Sequence, residues 1–239
     1  MTGSAKYTED LFVTGALHAV FVRSFMAHAR IGDIDFASAA EMPGVAAVFA
    51  ADDLGLAPEN SHEVPDVFAR PMLAKGTVRF VGEPIAVVVA ATLAEAMDAA
   101  ALVMIDYEPL PAVVDPEAAV EEGSPLLFPE HGSNVAVERT FTSRGPKAQD
   151  PDVVVSGRFS NQRVAAVPME TNGALAVPDP RSGGLNMWIP CQAPHWMSRE
   201  ISKALNLKRE QVRVIAPAVG GGFGAKIATY PEQIVVAAV

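Results

Sequence analysis

Val212-Arg-Val-Ile-Ala-Pro-Ala-Val-Gly-Gly-Gly-Phe-Gly-Ala-Lys226 begins as an apolar, strand-like run and then changes character. Gly220, Gly221 and Gly222 are consecutive, and Phe223, Gly224 and Lys226 follow. Three glycines strip the Cβ atoms from that backbone, so its N–H groups can approach a bulky anionic ligand at contact distance. Phe223 among them adds an apolar wall, which a loop serving only as a turn does not need. The plainer alternative is a glycine-rich turn between a strand and a helix.

Two glycine-loop templates can be tested against the stretch. A phosphate-cradling P-loop requires G-x-x-x-x-G-K-[ST]; Lys226 lies between Ala225 and Ile227, so no hydroxyl is available for magnesium. Gly220, Gly222 and Ala225 satisfy the dinucleotide pattern G-x-G-x-x-A after a strand, but Tyr230-Pro231 interrupts the helix that should begin at once. The ribose-binding acid, expected about 20 residues further on, would fall near or beyond Val239. A stand-alone nucleotide-binding protein using Gly220 to Ala225 therefore survives only as an alternative.

Composition narrows the classes. The 239 residues are enough for one large or two ordinary domains, and half are hydrophobic with 19% charged, a globular profile. A formal net charge of -10 argues against nucleic acid, whose phosphates demand clustered Lys and Arg. No run approaches the roughly 18 apolar residues of a membrane span. The first ten residues carry no signal-peptide core, so a cytoplasmic protein is expected. Cys191 is the single cysteine, which excludes an intrachain disulfide, a cysteine zinc cluster or an iron–sulfur cluster held by this chain alone. His18, His28 and His62 lack metal-ligand spacing and read as structural or exposed.

In the first half, strands are expected over residues 17–24, 28–35, 45–50 and 105–109. Asp35 should cap a short helix through Ala40. A kink at Gly82-Glu83-Pro84 precedes the dense β-branched run ending at Ala90, and Glu83 is expected to hold that turn by a hydrogen bond. Thr92 and Glu95 have capping-box spacing, with Leu93, Met97, Ala100, Ala101 and Met104 as the following helix's apolar face. Together these elements make an α/β domain of about 110 residues.

Prolines at 109, 111, 116, 125, 129, 146 and 151 mark a traversing connector, with one strand expected from Val135 to Thr142. The division is placed near residue 130, giving a first domain with linker over 1–130 and a second over 131–239. Further strands are expected over residues 152–159 and 173–177. Between them Glu170 sits among small and apolar residues, either as a catalytic acid or as a structural acid holding loops. Residues 185–195 lead from a strand into a helix opened by Pro194, faced by Trp196, Ile201, Ala204 and Leu205 and ending near Asn206. Gln192 lies just before that helix, where its amide can donate to an anionic group or oxo ligand. Cys191 beside it has no acid–base partner that would make it a nucleophile. A last helix from Pro231 is apolar all round through Val239, which predicts enclosure by further polypeptide.

Laid out in order, Lys6-Tyr-Thr-Glu-Asp10, Arg23-Ser24, Ala27-His-Ala-Arg-Ile31, Pro43-Gly-Val45, Val78-Arg-Phe-Val-Gly-Glu-Pro84 and Val103-Met-Ile-Asp-Tyr-Glu-Pro109 resemble an a/b hammerhead domain. Pro168-Met-Glu-Thr171, Gln192-Ala-Pro-His195 and Gly220-Gly-Gly-Phe-Gly224 continue the likeness. The chain resembles the molybdenum-binding large subunit of the xanthine dehydrogenase, aldehyde oxidase and carbon monoxide dehydrogenase family. The resemblance implies an α+β fold, a hammerhead domain followed by the N-terminal part of an α+β molybdopterin-binding domain. It also implies a molybdenum–molybdopterin cofactor, with the cytosine dinucleotide form expected, contacted by Gln192, Gly221, Gly222, Phe223 and Gly224. The pterin dithiolene holds the metal in that family, so no side-chain metal ligand is expected. FAD and [2Fe-2S] clusters are expected on partner subunits, an FAD-binding subunit and an iron–sulfur subunit, beside the remainder of the molybdenum subunit and a small-molecule substrate.

Ile227 stands where purine-oxidising members carry an acid, and Ile227-Ala-Thr-Tyr-Pro-Glu232 is closer to the carbon monoxide dehydrogenase-like branch. The family's second cofactor domain and catalytic glutamate come later than Val239. The expectation is thus an N-terminal part, inactive alone, of an enzyme hydroxylating an aldehyde, an N-heterocycle or a related small molecule, or oxidising CO. Beside the nucleotide-binding alternative stands a non-catalytic assembly module that keeps the hammerhead fold.

Overall fold

The computed structural model describes residues 3–60, 63–142, 145 and 152–239; His62, Pro146 and Pro151 lie outside them. Its first half contains β1 (His18–Arg23), β2 (Ala29–Asp35), α1 (Ala37–Ala40), β3 (Val45–Ala50), α2 (Ala51–Leu54), β4 (Thr77–Val78), β5 (Pro84–Ala90), α3 (Leu93–Ala100) and β6 (Met104–Pro109). The β-branched run is β5, the middle strand of an antiparallel sheet ordered β1-β5-β3, and every one of its residues is buried. A strand covered on both faces needs a continuous apolar run rather than alternation.

Successive side chains of β5 point in opposite directions and so serve two cores. Val88 packs with Ala39, Ala99 and Val103 beneath α3. Val87 and Val89 instead meet Leu185, Met187, Met197, Ile201, Ile234 and Val235 from the second half of the chain. Each such side chain stabilises the fold by roughly 1.5–3 kcal/mol when fully buried. A second sheet, β4-β2-β6, completes the first half. The expected caps form: Asp35 Oδ1 accepts the Ala37 N–H at 2.9 Å, and Thr92 and Glu95 exchange their capping-box bonds at 3.2 and 3.0 Å. Glu83 also does its expected work, accepting the Arg79 N–H at 2.6 Å across the turn.

The face of α3 differs from the expectation. Ala96 and Ala99 are its buried residues, while Leu93 and Met97 are 51% and 57% exposed. Two alanines let the helix lie close over the sheet, and the longer side chains are left outside.

In the second half, β7 (Leu175–Asp179) pairs antiparallel with β8 (Gly184–Trp188), and β8 runs parallel to β9 (Val212–Ile215). Parallel neighbours require a crossover, supplied here by α4 (Pro194–Ala204). This helix buries Met197, Ser198, Ile201 and Ser202, with the Ser198 hydroxyl donating to the Val212 carbonyl at 2.7 Å. Trp196, expected on the inner face, is half exposed beneath the Arg199 guanidinium. The helix ends at Ala204, close to the expected Asn206, whose φ of +52° is a left-handed conformation that asparagine tolerates.

Two predicted strands are missing. Neither 135–142 nor 152–159 lies in a ladder, and Val153, Val154, Val155 and Phe159 are exposed. β-Branched composition favours a pleated, half-buried surface but forms a strand only against a neighbour, and no described residue provides one. The last helix, α5 (Pro231–Ala238), is enclosed in part by this chain itself. Its Ile234 and Val235 are buried in this chain's own core, and Glu232 pairs with Arg23 of β1 at 2.7 Å.

Candidate functional site

Because β8 and β9 are parallel neighbours, the segments leaving their C-terminal ends emerge side by side, the usual place for a ligand in open α/β sheets. Gln192 follows β8 and the glycine loop follows β9. The Gln192 N–H donates to the Lys226 carbonyl at 2.9 Å. Its side-chain Oε1 accepts the N–H groups of Gly224 at 3.0 Å and Lys226 at 3.3 Å. Only an amide oxygen can accept from two N–H groups, so the orientation of the side chain is set and Nε2 is left as the donor. Among the described residues Nε2 has no partner, and Gln192 is exposed. Glycine at 222 lets the Gln192 amide lie against the loop, since a Cβ there would stand 2.5 Å from Gln192 Oε1 and push the side chain away.

The loop itself is bent by unusual backbone. Gly221 and Gly224 have φ of +96° and +86°, and Phe223 has +49° without glycine's freedom. Non-glycine residues in that region are held there against a cost of order 1–3 kcal/mol. The Phe223 side chain is consequently presented outward, and the residue is 78% exposed. The N–H groups of Gly220, Gly224, Ala225 and Lys226 are all used within the chain. Those of Gly221, Gly222 and Phe223 have no partner among the described residues. Successive unpaired backbone donors are suited to anionic or oxygen-rich groups.

Two charged groups lie beneath the loop. Lys226 is fully buried, and its Nζ lies 2.9 Å from Glu170 Oε2. The same oxygen accepts the Gly220 N–H at 2.7 Å, while the Glu170 N–H donates to the Gly220 carbonyl at 3.2 Å. Burial pushes the Glu170 carboxyl up, but the N–H of Gly220, the Lys226 ammonium and the N–H of Thr8 outweigh it and hold the group below its ordinary 4.5. Glu170 is thus held as the carboxylate of an ion pair with Lys226, tied to the loop through the Gly220 N–H. The role of Lys226 was not read from the sequence. The available signal was a lone cation within an apolar glycine-rich stretch, matched by a lone acid in another small-residue segment.

Other candidates recede. Cys191 is buried, and desolvation pushes its thiol up despite the Ala193 N–H, the opposite of what a thiolate nucleophile needs. His28 is buried with Nδ1 2.8 Å from the Pro111 carbonyl, a structural position. No group of three or more His, Cys, Asp or Glu suited to a metal ion occurs among the described residues.

Two family models match the chain in sequence. "Aldehyde oxidase and xanthine dehydrogenase, a/b hammerhead domain" covers residues 2–111, and "Molybdopterin cofactor-binding domain" covers residues 128–239. The nicotine 6-hydroxylase large subunit of Paenarthrobacter nicotinovorans is 38% identical over 99% of this chain and 30% of its own length. The carbon monoxide dehydrogenase large chain of Afipia carboxidovorans is 37% identical over 97% of this chain and 30% of its own. The crystal structure of quinoline 2-oxidoreductase from Pseudomonas putida 86 superposes with a TM-score of 0.88 at 38% identity, covering 98% of this chain and 31% of that one. The chain therefore spans less than a third of the length of these relatives. The two domains follow one another along nearly the whole sequence, and the fold is shared with a solved relative. On those grounds the chain belongs to the aldehyde oxidase and xanthine dehydrogenase family of molybdopterin-binding large subunits.

Proposed function

We propose that this chain is the N-terminal part of a molybdenum hydroxylase large subunit and supplies one wall of its molybdopterin site. The observation that carries the proposal is the loop at 220–224. Three consecutive N–H groups and the Nε2 of Gln192 are left without described partners at one place, beside an outward-facing phenylalanine held at positive φ. Phosphate, pterin and metal-oxo groups all present acceptors, so this donor set fits the cofactor.

When bound, molybdenum–molybdopterin supplies the redox and oxygen-transfer chemistry. The chain's own contribution is positional. Gln192 Nε2 and the N–H groups of Gly221, Gly222 and Phe223 act as fixed donors, and the Phe223 ring shields the site from water. The substrate proposed is an N-heterocycle or aldehyde: Ile227 puts an apolar, half-exposed side chain after Lys226 rather than an acid, and nicotine and quinoline, named for two relatives, are both N-heterocycles. Further parts of the proposal are the cytosine dinucleotide form of the cofactor, FAD and [2Fe-2S] clusters on partner subunits, the remainder of the molybdenum subunit as a partner, and a cytoplasmic setting. No described helix is long and apolar enough to cross a membrane.

The test is metal and pterin analysis of the chain purified together with the subunits encoded beside it. Molybdenum and pterin in equal amounts are expected, and Gln192→Ala should lower turnover about a hundred- to a thousandfold, the usual effect of deleting one aligned donor. A complex with neither molybdenum nor pterin, or one holding a nucleotide in their place, would refute the proposal.

A further inference from the structure

Among the described residues no fully buried side chain is larger than Lys226, and its only hydrogen-bond acceptor there is Glu170 Oε2. An ammonium group is rarely enclosed without a purpose, because removing it from water is costly. What this pair holds is specific. One carboxylate oxygen takes the Gly220 N–H at 2.7 Å and the Lys226 Nζ at 2.9 Å, so both ends of the glycine loop are fastened to a single atom. Gln192 Oε1 fastens Gly224 and Lys226 from the other side. Glu170 lies directly under the loop, since a Cβ on Gly220 would come within 2.5 Å of its own Cβ. The N-terminal arm completes the arrangement: the Lys6 carbonyl accepts the Ala218 N–H at 3.0 Å, and the Thr8 N–H leans on the Glu170 carboxylate. Residues 221–223 lie between these clamps, and their N–H groups have no partner among the described residues.

We propose that Lys226 and Glu170 are positioning residues for the cofactor loop, fixing the directions of the three unused N–H groups that a bound molybdopterin would meet. This rests on the function proposed above. The pair does not touch the reacting atoms; it acts through the backbone of Gly220 and Lys226. Its charges matter because a buried ion pair tolerates little displacement, whereas a neutral pair of the same volume lets the loop shift.

The decisive variant is the double substitution Glu170→Gln with Lys226→Met, in the complex copurified with its partner subunits. Both charges leave together and the volumes are kept. The readouts are the thermal midpoint, the half-time of pterin loss on dilution, and KM and kcat separately. The expected result is a folded complex that loses pterin about tenfold faster, with kcat lowered and KM unchanged, the size of effect typical of supporting partners around a metal site. Lys226→Arg, which keeps the charge, should restore retention. Parental retention and kcat in a folded double variant would overturn the proposal while leaving the functional reading intact. A parental complex without pterin would overturn both. Should the double variant not fold, Glu170→Asp decides instead: a carboxylate one methylene shorter cannot reach both Gly220 and Lys226. Faster pterin loss supports the proposal and parental retention overturns it.

Discussion

Lys226→Met isolates the energetic weight of the buried pair. Methionine keeps most of the apolar stem and removes only the ammonium, so packing changes little. Glu170 is then left with a side chain only 12% exposed, its carboxylate supported by the Gly220 and Thr8 N–H groups alone. Breaking a buried ion pair by removing one partner costs about 3–5 kcal/mol. The residual exposure of Glu170 places this substitution near the lower figure, about 3 kcal/mol. Glu170→Gln alone should cost more, since it leaves the fully enclosed ammonium unpaired. The double variant should lie within about 1 kcal/mol of the parent, because both charges are gone and the amide oxygen introduced by Glu170→Gln can still accept from Gly220.

Acidity offers an internal check on the same pair. The folded value of Glu170 is depressed, so its stabilisation is present above the ordinary 4.5 and is lost as pH falls through the lower folded value. Parent and Lys226→Met should therefore converge below pH 4.5 and separate above it. Urea unfolding of the chain, followed by the fluorescence of Trp188 and Trp196 at neutral and acid pH, measures both effects. A single Lys226→Met loss below about 1 kcal/mol, or a double variant whose loss equals the sum of the singles, would refute the reasoning.

Two further outcomes are expected. Gly222→Ala places a Cβ 2.5 Å from Gln192 Oε1 and 2.6 Å from its Cδ, so the amide must swing away and release the Gly224 and Lys226 N–H groups. At about 0.5–1.5 kcal/mol per hydrogen bond the loss should reach roughly 1–3 kcal/mol in urea unfolding, and parental stability would show that Gln192 does not hold the loop. Burial pushes the Glu83 carboxyl up, against the Arg79 N–H and the charges of Arg79 and Arg70, so its contribution is most favourable below the ordinary 4.5 and declines as pH rises through the folded value. Glu83→Gln should accordingly be near neutral at pH 7, while Glu83→Ala, which leaves the Arg79 N–H unpaired, should cost about 1–3 kcal/mol; equal losses for the two would contradict this account.

What the sequence determined by itself is local. The run ending at Ala90 had to be a covered strand because it has no polar face, and Thr92 with Glu95 had to start a helix because the two side chains satisfy each other's backbone donors over three residues. The glycines after β9 announced a backbone approach site, and Gln192 announced a donor at a helix entrance. Tertiary structure decided everything that depends on a partner distant along the chain. The segment 152–159 has strand composition yet no ladder among the described residues, because a strand is defined by its neighbour. The inner face of α3 followed the alanines rather than Leu93 and Met97, because the closeness of the sheet selects small side chains there. Only the parallel pairing of β8 with β9 brought Gln192 to Gly224, across 32 positions, and only packing enclosed Lys226 against Glu170, across 56. A lone charge in a sequence carries no mark of burial; the paired charge that makes burial tolerable is visible only once the chain has folded back on itself.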